Sequence, residues 1–170
     1  MKTFAYLGSS KDGGTYRVFE TLRDGLVAQG WEGHFVNETC LGETLPEREP
    51  DILAALAQHL GRFDAVVANV FISVRLMNVV RFLPETTARI MVVHNISHAT
   101  YLAARALRDH VHLTVAVSWR IRDDLIARHG FPANRTSMIL NAVPNALFIQ
   151  RGNAIPASRI GVFSLGRIED

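Results

Sequence analysis

Three groups of residues have the types and spacing to do chemistry. They are the run Gly8-Ser9-Ser10-Lys11-Asp12-Gly13-Gly14-Thr15, the pair His94 and His98, and the scattered polar residues Asn69, Ser118 and Asn141. The run follows the apolar Phe4-Ala5-Tyr6-Leu7 and precedes a helical period. A strand, a tight turn and a helix start aim amide N–H groups and a positive dipole end at one point, where an anion such as phosphate fits. Glycine lets the backbone turn sharply there and come close to a ligand with no Cβ in between. A tight turn in a sheet core favours glycine too, so the run alone leaves both readings open.

His94 ends an apolar run and His98 begins a helical one, so the two would not share a helix face. With no third ligand evident, a metal site is the minor reading. His94 instead faces a crevice as a hydrogen-bonding group or bonds a neighbouring carbonyl at a strand end. His98 reads as structural, near a helix start. Ser118 reads first as a helix cap, and Asn141, before Ala142-Val143-Pro144, as a turn or crevice residue. Cys40 has no basic neighbour in sequence to lower its pKa and is a poor candidate nucleophile. Neither a G-x-S-x-G elbow nor a P-loop lysine pattern is present. A rival reading takes Gly8-x-Ser10-x-x-Gly13 as a dinucleotide fingerprint with Glu38 as the ribose acid. It fails at the middle glycine, which must be bare for backbone to reach a pyrophosphate.

The elements that must hold these residues alternate. Thr15 to Gln29 has a helical period with Val18, Phe19, Leu22 and Leu26 inward and Gly30 as a stop. Trp31 to Val36 reads as a strand, Asn37 to Glu49 as a loop, and Pro50 opens a helix with Ile52, Leu53, Leu56 and Leu60 inward. Asp64 to Ala68 is a short buried strand. Ser73 to Leu83 is an amphipathic, somewhat basic helix with Val74, Met77, Val80 and Phe82 as its apolar positions. It reads as a sheet-covering helix in preference to a membrane-surface or partner-docking one. Arg89 to Val93 is a continuous apolar strand, of the kind buried on both faces in a parallel sheet. An alanine-rich helix to about Asp109 follows, then a strand over Leu113 to Val117, a helix from Ser118 to Arg128 stopped at Gly130, and a strand over Ser137 to Leu140.

This order predicts an α/β fold, a Rossmann-like parallel sheet with helices on both faces. In such sheets ligands sit beyond the carboxyl ends of the strands. Gly8 to Thr15, Asn37-Glu38, Asn69, His94 to His98, Ser118 and Asn141 all fall at those ends.

The totals agree with a folded domain. The chain has 170 residues, 48% hydrophobic and 20% charged, which excludes global disorder. A net charge of +2, with no block of consecutive Lys or Arg, gives no reason to expect nucleic acid as a partner. A single cysteine rules out a disulfide frame and a thiolate metal cluster. Without a signal-peptide layout or a membrane-spanning apolar run, the expected location is the cytoplasm, with a peripheral contact at the inner membrane face left open.

Several stretches in order resemble one family. Lys11-Asp12-Gly13-Gly14-Thr15-Tyr16-Arg17-Val18 is similar to the first loop of the GT-B glycosyltransferases of family four. Val92-Val93-His94-Asn95 resembles that family's strand and histidine. Ala116-Val117-Ser118 with Leu125 resembles its helix start, and Gly130 to Arg135 with Ile139-Leu140-Asn141-Ala142-Val143 its following segment. Ser164-Leu165-Gly166-Arg167-Ile168 is similar to the opening of its second domain. The resemblance implies two Rossmann-like domains across a cleft. A sugar would pass from a nucleotide-sugar donor to an acceptor hydroxyl (of a glycan, lipid or small molecule), with retention at the anomeric carbon.

Carried over, Gly13, Gly14 and Thr15 would approach the donor diphosphate, His94 would sit near the transferred sugar, and Arg167 would neutralise the leaving diphosphate. Asn69, Ser118 and Asn141 would line the cleft. Asn141 departs from the pattern, since alanine follows it where the family has glycine. No cofactor or metal is expected, the nucleotide sugar being a substrate.

Residues 1–150 then form the acceptor-side domain. Residues 151–170 read as a linker and the first strand of a donor-binding domain cut short after Gly166. The alternative is a non-catalytic α/β module that binds a nucleotide or a protein partner through the same crevice.

Overall fold

The structure is a computed structural model, and it describes residues 1–142 except 12, 38–39, 41–47 and 71–72. Six strands and five α-helices alternate along the described chain. They are β1 (Lys2–Leu7), α1 (Gly14–Val27), β2 (Trp31–Val36), α2 (Glu49–Leu60), β3 (Ala65–Asn69) and α3 (Val74–Val79). Then come β4 (Ala88–Val93), α4 (His98–Leu107), β5 (Leu113–Ala116), α5 (Trp119–His129) and β6 (Thr136–Met138). All strands are parallel, in the order β2-β1-β3-β4-β5-β6. This is the Rossmann-like α/β fold that the alternation predicts.

The order has a mechanical origin. A crossover between parallel strands is right-handed, so the face a helix covers depends on which way the chain moves along the sheet. From β1 to β2 it moves outward and lays α1 on one face; every later crossover moves the other way and lays its helix on the opposite face. Buried residues follow this division. Phe4, Tyr6, Val67, Val92 and Val115 join Phe19 of α1 in one cluster. Leu7, Val66, Ala68, Met91, Val93 and Ala116 join Leu56, Leu76, Tyr101, Ala104, Ile121 and Leu125 of the other four helices in the second. Helices lie on both faces, one against four.

Local chemistry explains the element ends. Ser73, Ser97 and Ser118 each accept a hydrogen bond from the amide three residues on, capping α3, α4 and α5. Pro50 lies in the first turn of α2, where its missing N–H costs no intrahelical bond. Gly130 closes α5 in the left-handed conformation at φ 69°.

One expected helix face is wrong. Val74 and Phe82 are exposed, and the buried stripe is Leu76, Val79, Val80 and Leu83. The α-helix ends at Val79 and the backbone tightens into a 3-10 turn over Val80–Phe82, which rotates Phe82 out to solvent. Among the described residues, no helix is long and apolar enough to cross a membrane.

Candidate functional site

The chain reverses its direction of travel between β1 and β3, which are neighbours in the sheet. A switch of this kind opens a crevice at the carboxyl ends of the strands. The ends are level. Leu7 pairs with Ala68, Asn69 with Val92, and Val93 with Ala116. The loop after β1, the end of β3 and the turn after β4 therefore share one rim.

On that rim Asn69 is the hub of a buried polar cluster. It is the last residue of β3 and 2% exposed. Its amide Nδ2 donates to the Leu7 carbonyl at 2.7 Å. Its Oδ1 accepts from the Tyr6 hydroxyl at 3.0 Å and lies 2.9 Å from His94 Nε2. One side chain thus ties β1, β3 and the turn after β4 together. The surrounding apolar layer pushes the Tyr6 phenol up to about 12, against a smaller opposing effect of its bond to Asn69. Burial likewise holds the half-buried His94 below its ordinary value, which favours the neutral ring.

The glycine-rich run divides into parts with different reasons. A Cβ on Gly8 would collide with the Phe35 ring, so packing by itself calls for a bare residue at Gly8. Phe35 itself is fixed by Tyr16 and Phe19 of α1, with ring centroids 5.0 and 5.5 Å away. Gly13, at φ 83°, needs its glycine for conformation, and it stands at the N-cap of α1 without a side-chain cap. Gly14 opens the helix, and among the described residues a Cβ there would meet nothing within 4 Å. Thr15 is half-buried behind it. Among the described residues nothing covers the start of α1, which presents backbone amides and suits an anion. Asp12 and Glu38 lie outside the described residues.

The remaining candidates are less engaged. The Ser118 hydroxyl accepts the Ile121 N–H at 3.2 Å, so its capping role accounts for it. Asn141 lies three residues beyond β6, exposed. His98 is exposed in the first turn of α4. Burial pushes the Cys40 thiol up, away from a reactive thiolate. Arg167 and the 151–170 segment lie outside the described residues. Among the described residues, no group of three or more His, Cys, Asp or Glu is placed to hold a metal. Sequence reasoning missed Tyr6, which reads as one more apolar strand residue. A strand tyrosine buried close to a strand end is itself a signal, because its hydroxyl must find a partner.

This sheet order and rim define a Rossmann-like, doubly wound α/β fold. No family model and no curated protein sequence matches the chain. Among solved structures it is similar to HepE of Anabaena, solved in complex with UDP and glucose, at TM-score 0.55 and 15% identity. That match covers 84% of this chain and 45% of HepE. A glycosyltransferase from Rickettsia africae matches at TM-score 0.55 and 12% identity, over 86% of this chain and 47% of that one. Sucrose-phosphate synthase of Thermosynechococcus elongatus matches at 0.54 and 11%, over 85% of this chain and 90% of the structure compared. The chain spans about half the length of the first two. At these identities the likeness is one of fold.

Proposed function

We propose that this chain supplies the acceptor-side half of a nucleotide-sugar-dependent glycosyltransferase. The observation that carries the reading is the pairing, on one strand-end rim, of an open glycine helix start with a half-buried, hydrogen-bonded histidine. The helix start suits a diphosphate and the imidazole suits a sugar hydroxyl. The likeness of fold to HepE, whose structure holds UDP and glucose, gives additional support.

In this reading Gly13, Gly14 and Thr15 lie against the donor diphosphate and His94 against the transferred sugar. Cleaving the sugar–phosphate bond concentrates negative charge on the departing diphosphate, where preorganised amide N–H groups and the guanidinium of Arg167 stabilise it. Transfer goes with retention to an acceptor hydroxyl of a glycan, lipid or small molecule. Asn69 holds the rim together, while Ser118 and Asn141 flank it. Residues 151–170 lead into a second, donor-binding domain. The reading requires no metal.

A half-site has a clear kinetic signature. The 170 residues alone are expected to bind nucleotide sugars weakly and to show no appreciable turnover. Turnover by this chain near the 1–1000 per second typical of whole enzymes, about 10 per second at the median, would refute the half-site reading. In a protein carrying both halves, Arg167→Ala should lower kcat strongly with folding unchanged, and unchanged kinetics would remove Arg167 from the account.

A further inference from the structure

The bonding around Asn69 determines where the proton on His94 sits. A carbonyl oxygen accepts only, so the end of the Asn69 amide that faces Leu7 O at 2.7 Å is the NH2 end. The amide oxygen therefore faces the other way, toward Tyr6 Oη at 3.0 Å and His94 Nε2 at 2.9 Å. That oxygen also accepts only, so Nε2 must carry a hydrogen. A neutral imidazole has one N–H, which leaves Nδ1 as a bare lone pair. No described residue hydrogen-bonds Nδ1.

We propose that Asn69, held by Leu7 O and Tyr6, is a positioning residue that locks His94 as its Nε2–H tautomer. Nδ1 is then an acceptor reserved for a ligand hydroxyl. The lock has a consequence for what the rim binds. A lone pair repels phosphate oxygen, which has no proton to give, and accepts from an alcohol. Phosphate belongs to the α1 start and the sugar ring to His94, so the two parts of a nucleotide sugar are sorted along the rim. Tyr6 contributes by occupying a second lone pair of the Asn69 oxygen, which opposes rotation of the amide. Burial also favours the neutral ring, as the lock needs. The hydrogen on Nε2 stands on hydrogen-bond geometry, the bare Nδ1 also on the ring being neutral, and the hydroxyl ligand on the glycosyl-transfer reading.

The test is 15N NMR of the imidazole nitrogens in the 170-residue chain at pH 7. Expected are an Nε2 of protonated type with a slowly exchanging, directly observed proton, and an Nδ1 of unprotonated type. Asn69→Leu should abolish the observed Nε2–H through fast exchange. Tyr6→Phe should keep that proton but move its resonance. A protonated Nδ1 in the wild type overturns the lock without recourse to any variant, as does an Nε2–H that persists unchanged in a folded Asn69→Leu. An unmoved resonance in Tyr6→Phe removes Tyr6 from the proposal.

With UDP-glucose and UDP as probes, UDP-glucose should shift Nδ1 and UDP should not. An equal shift from both overturns the hydroxyl assignment. If neither probe moves any resonance of the chain, the glycosyl-transfer reading fails while the tautomer result stands.

Discussion

Replacing Asn69 by leucine removes the acceptor of two donors and the donor of a third bond without opening a large cavity. The Tyr6 hydroxyl is then stranded in a residue that is 0% exposed. Leaving a buried polar group unsatisfied costs about 1–3 kcal/mol. The Leu7 carbonyl loses a bond as well, whereas half-buried His94 can turn toward water. The expected cost of Asn69→Leu is roughly 2–4 kcal/mol, a large part of the ~5–15 kcal/mol that holds a domain of this size together. Tyr6→Phe removes the other end of one bond and leaves Asn69 Oδ1 still accepting from His94, so it should cost only about 1 kcal/mol. In the double variant no tyrosine hydroxyl is stranded, and its cost should fall below the sum of the singles by roughly 1–2 kcal/mol. Urea unfolding at pH 7 with unchanged m reads all three values. An Asn69→Leu midpoint close to wild type, or strict additivity in the double variant, would refute the account of Asn69 as the hub.

Other consequences follow from the same side chains. The Tyr6 pKa is raised from 10.0 to about 12, so its contribution to stability is intact below pH 10 and is lost as pH rises through 12. The loss is at most about 3 kcal/mol, at ~1.4 kcal/mol per unit, and Tyr6→Phe should flatten it in alkaline denaturation curves. Gly8→Ala should destabilise by about 1–3 kcal/mol through overpacking against Phe35, and Phe35→Leu in the same chain should restore much of the loss in a thermal melt. Gly13→Ala, at φ 83°, should cost about 1–3 kcal/mol. Gly14→Ala should be neutral or stabilising by up to ~1 kcal/mol, because alanine is the better helix former. If Gly14 serves ligand approach, that variant binds UDP less well while melting no earlier; equal affinity would leave Gly14 without a ligand role.

The fold was largely legible because the apolar runs are short and bounded. β2 falls on Trp31–Val36 as read, the other five strands within about two residues at their ends, and Gly130 and Ser118 close and open α5 as their chemistry requires. Sheet order was not legible, since it depends on the direction of each crossover and not on any local pattern. The α3 face is not legible, because the stripe Leu76, Val79, Val80, Leu83 runs through a change of helix type that moves Phe82 outward. At the site, His94, Gly13 and Asn69 were visible as polar or glycine residues at strand ends. Their bonding was not, because it joins residues 62 and 63 positions apart through a tyrosine that sequence hides among apolar neighbours. Gly8 illustrates the converse: its neighbours suggested a ligand loop, yet the residue that needs its bareness is Phe35, on the adjacent strand.

The most direct test of the central claim is an amide-resolved NMR titration of the 170-residue chain with UDP-glucose. The account predicts that resonances of Gly13 to Thr15, Asn69 and His94 move together, with UDP alone moving the glycine set and sparing His94. Perturbations confined to the opposite edge of the sheet, or none at the Gly13–Thr15 turn and His94, would contradict it.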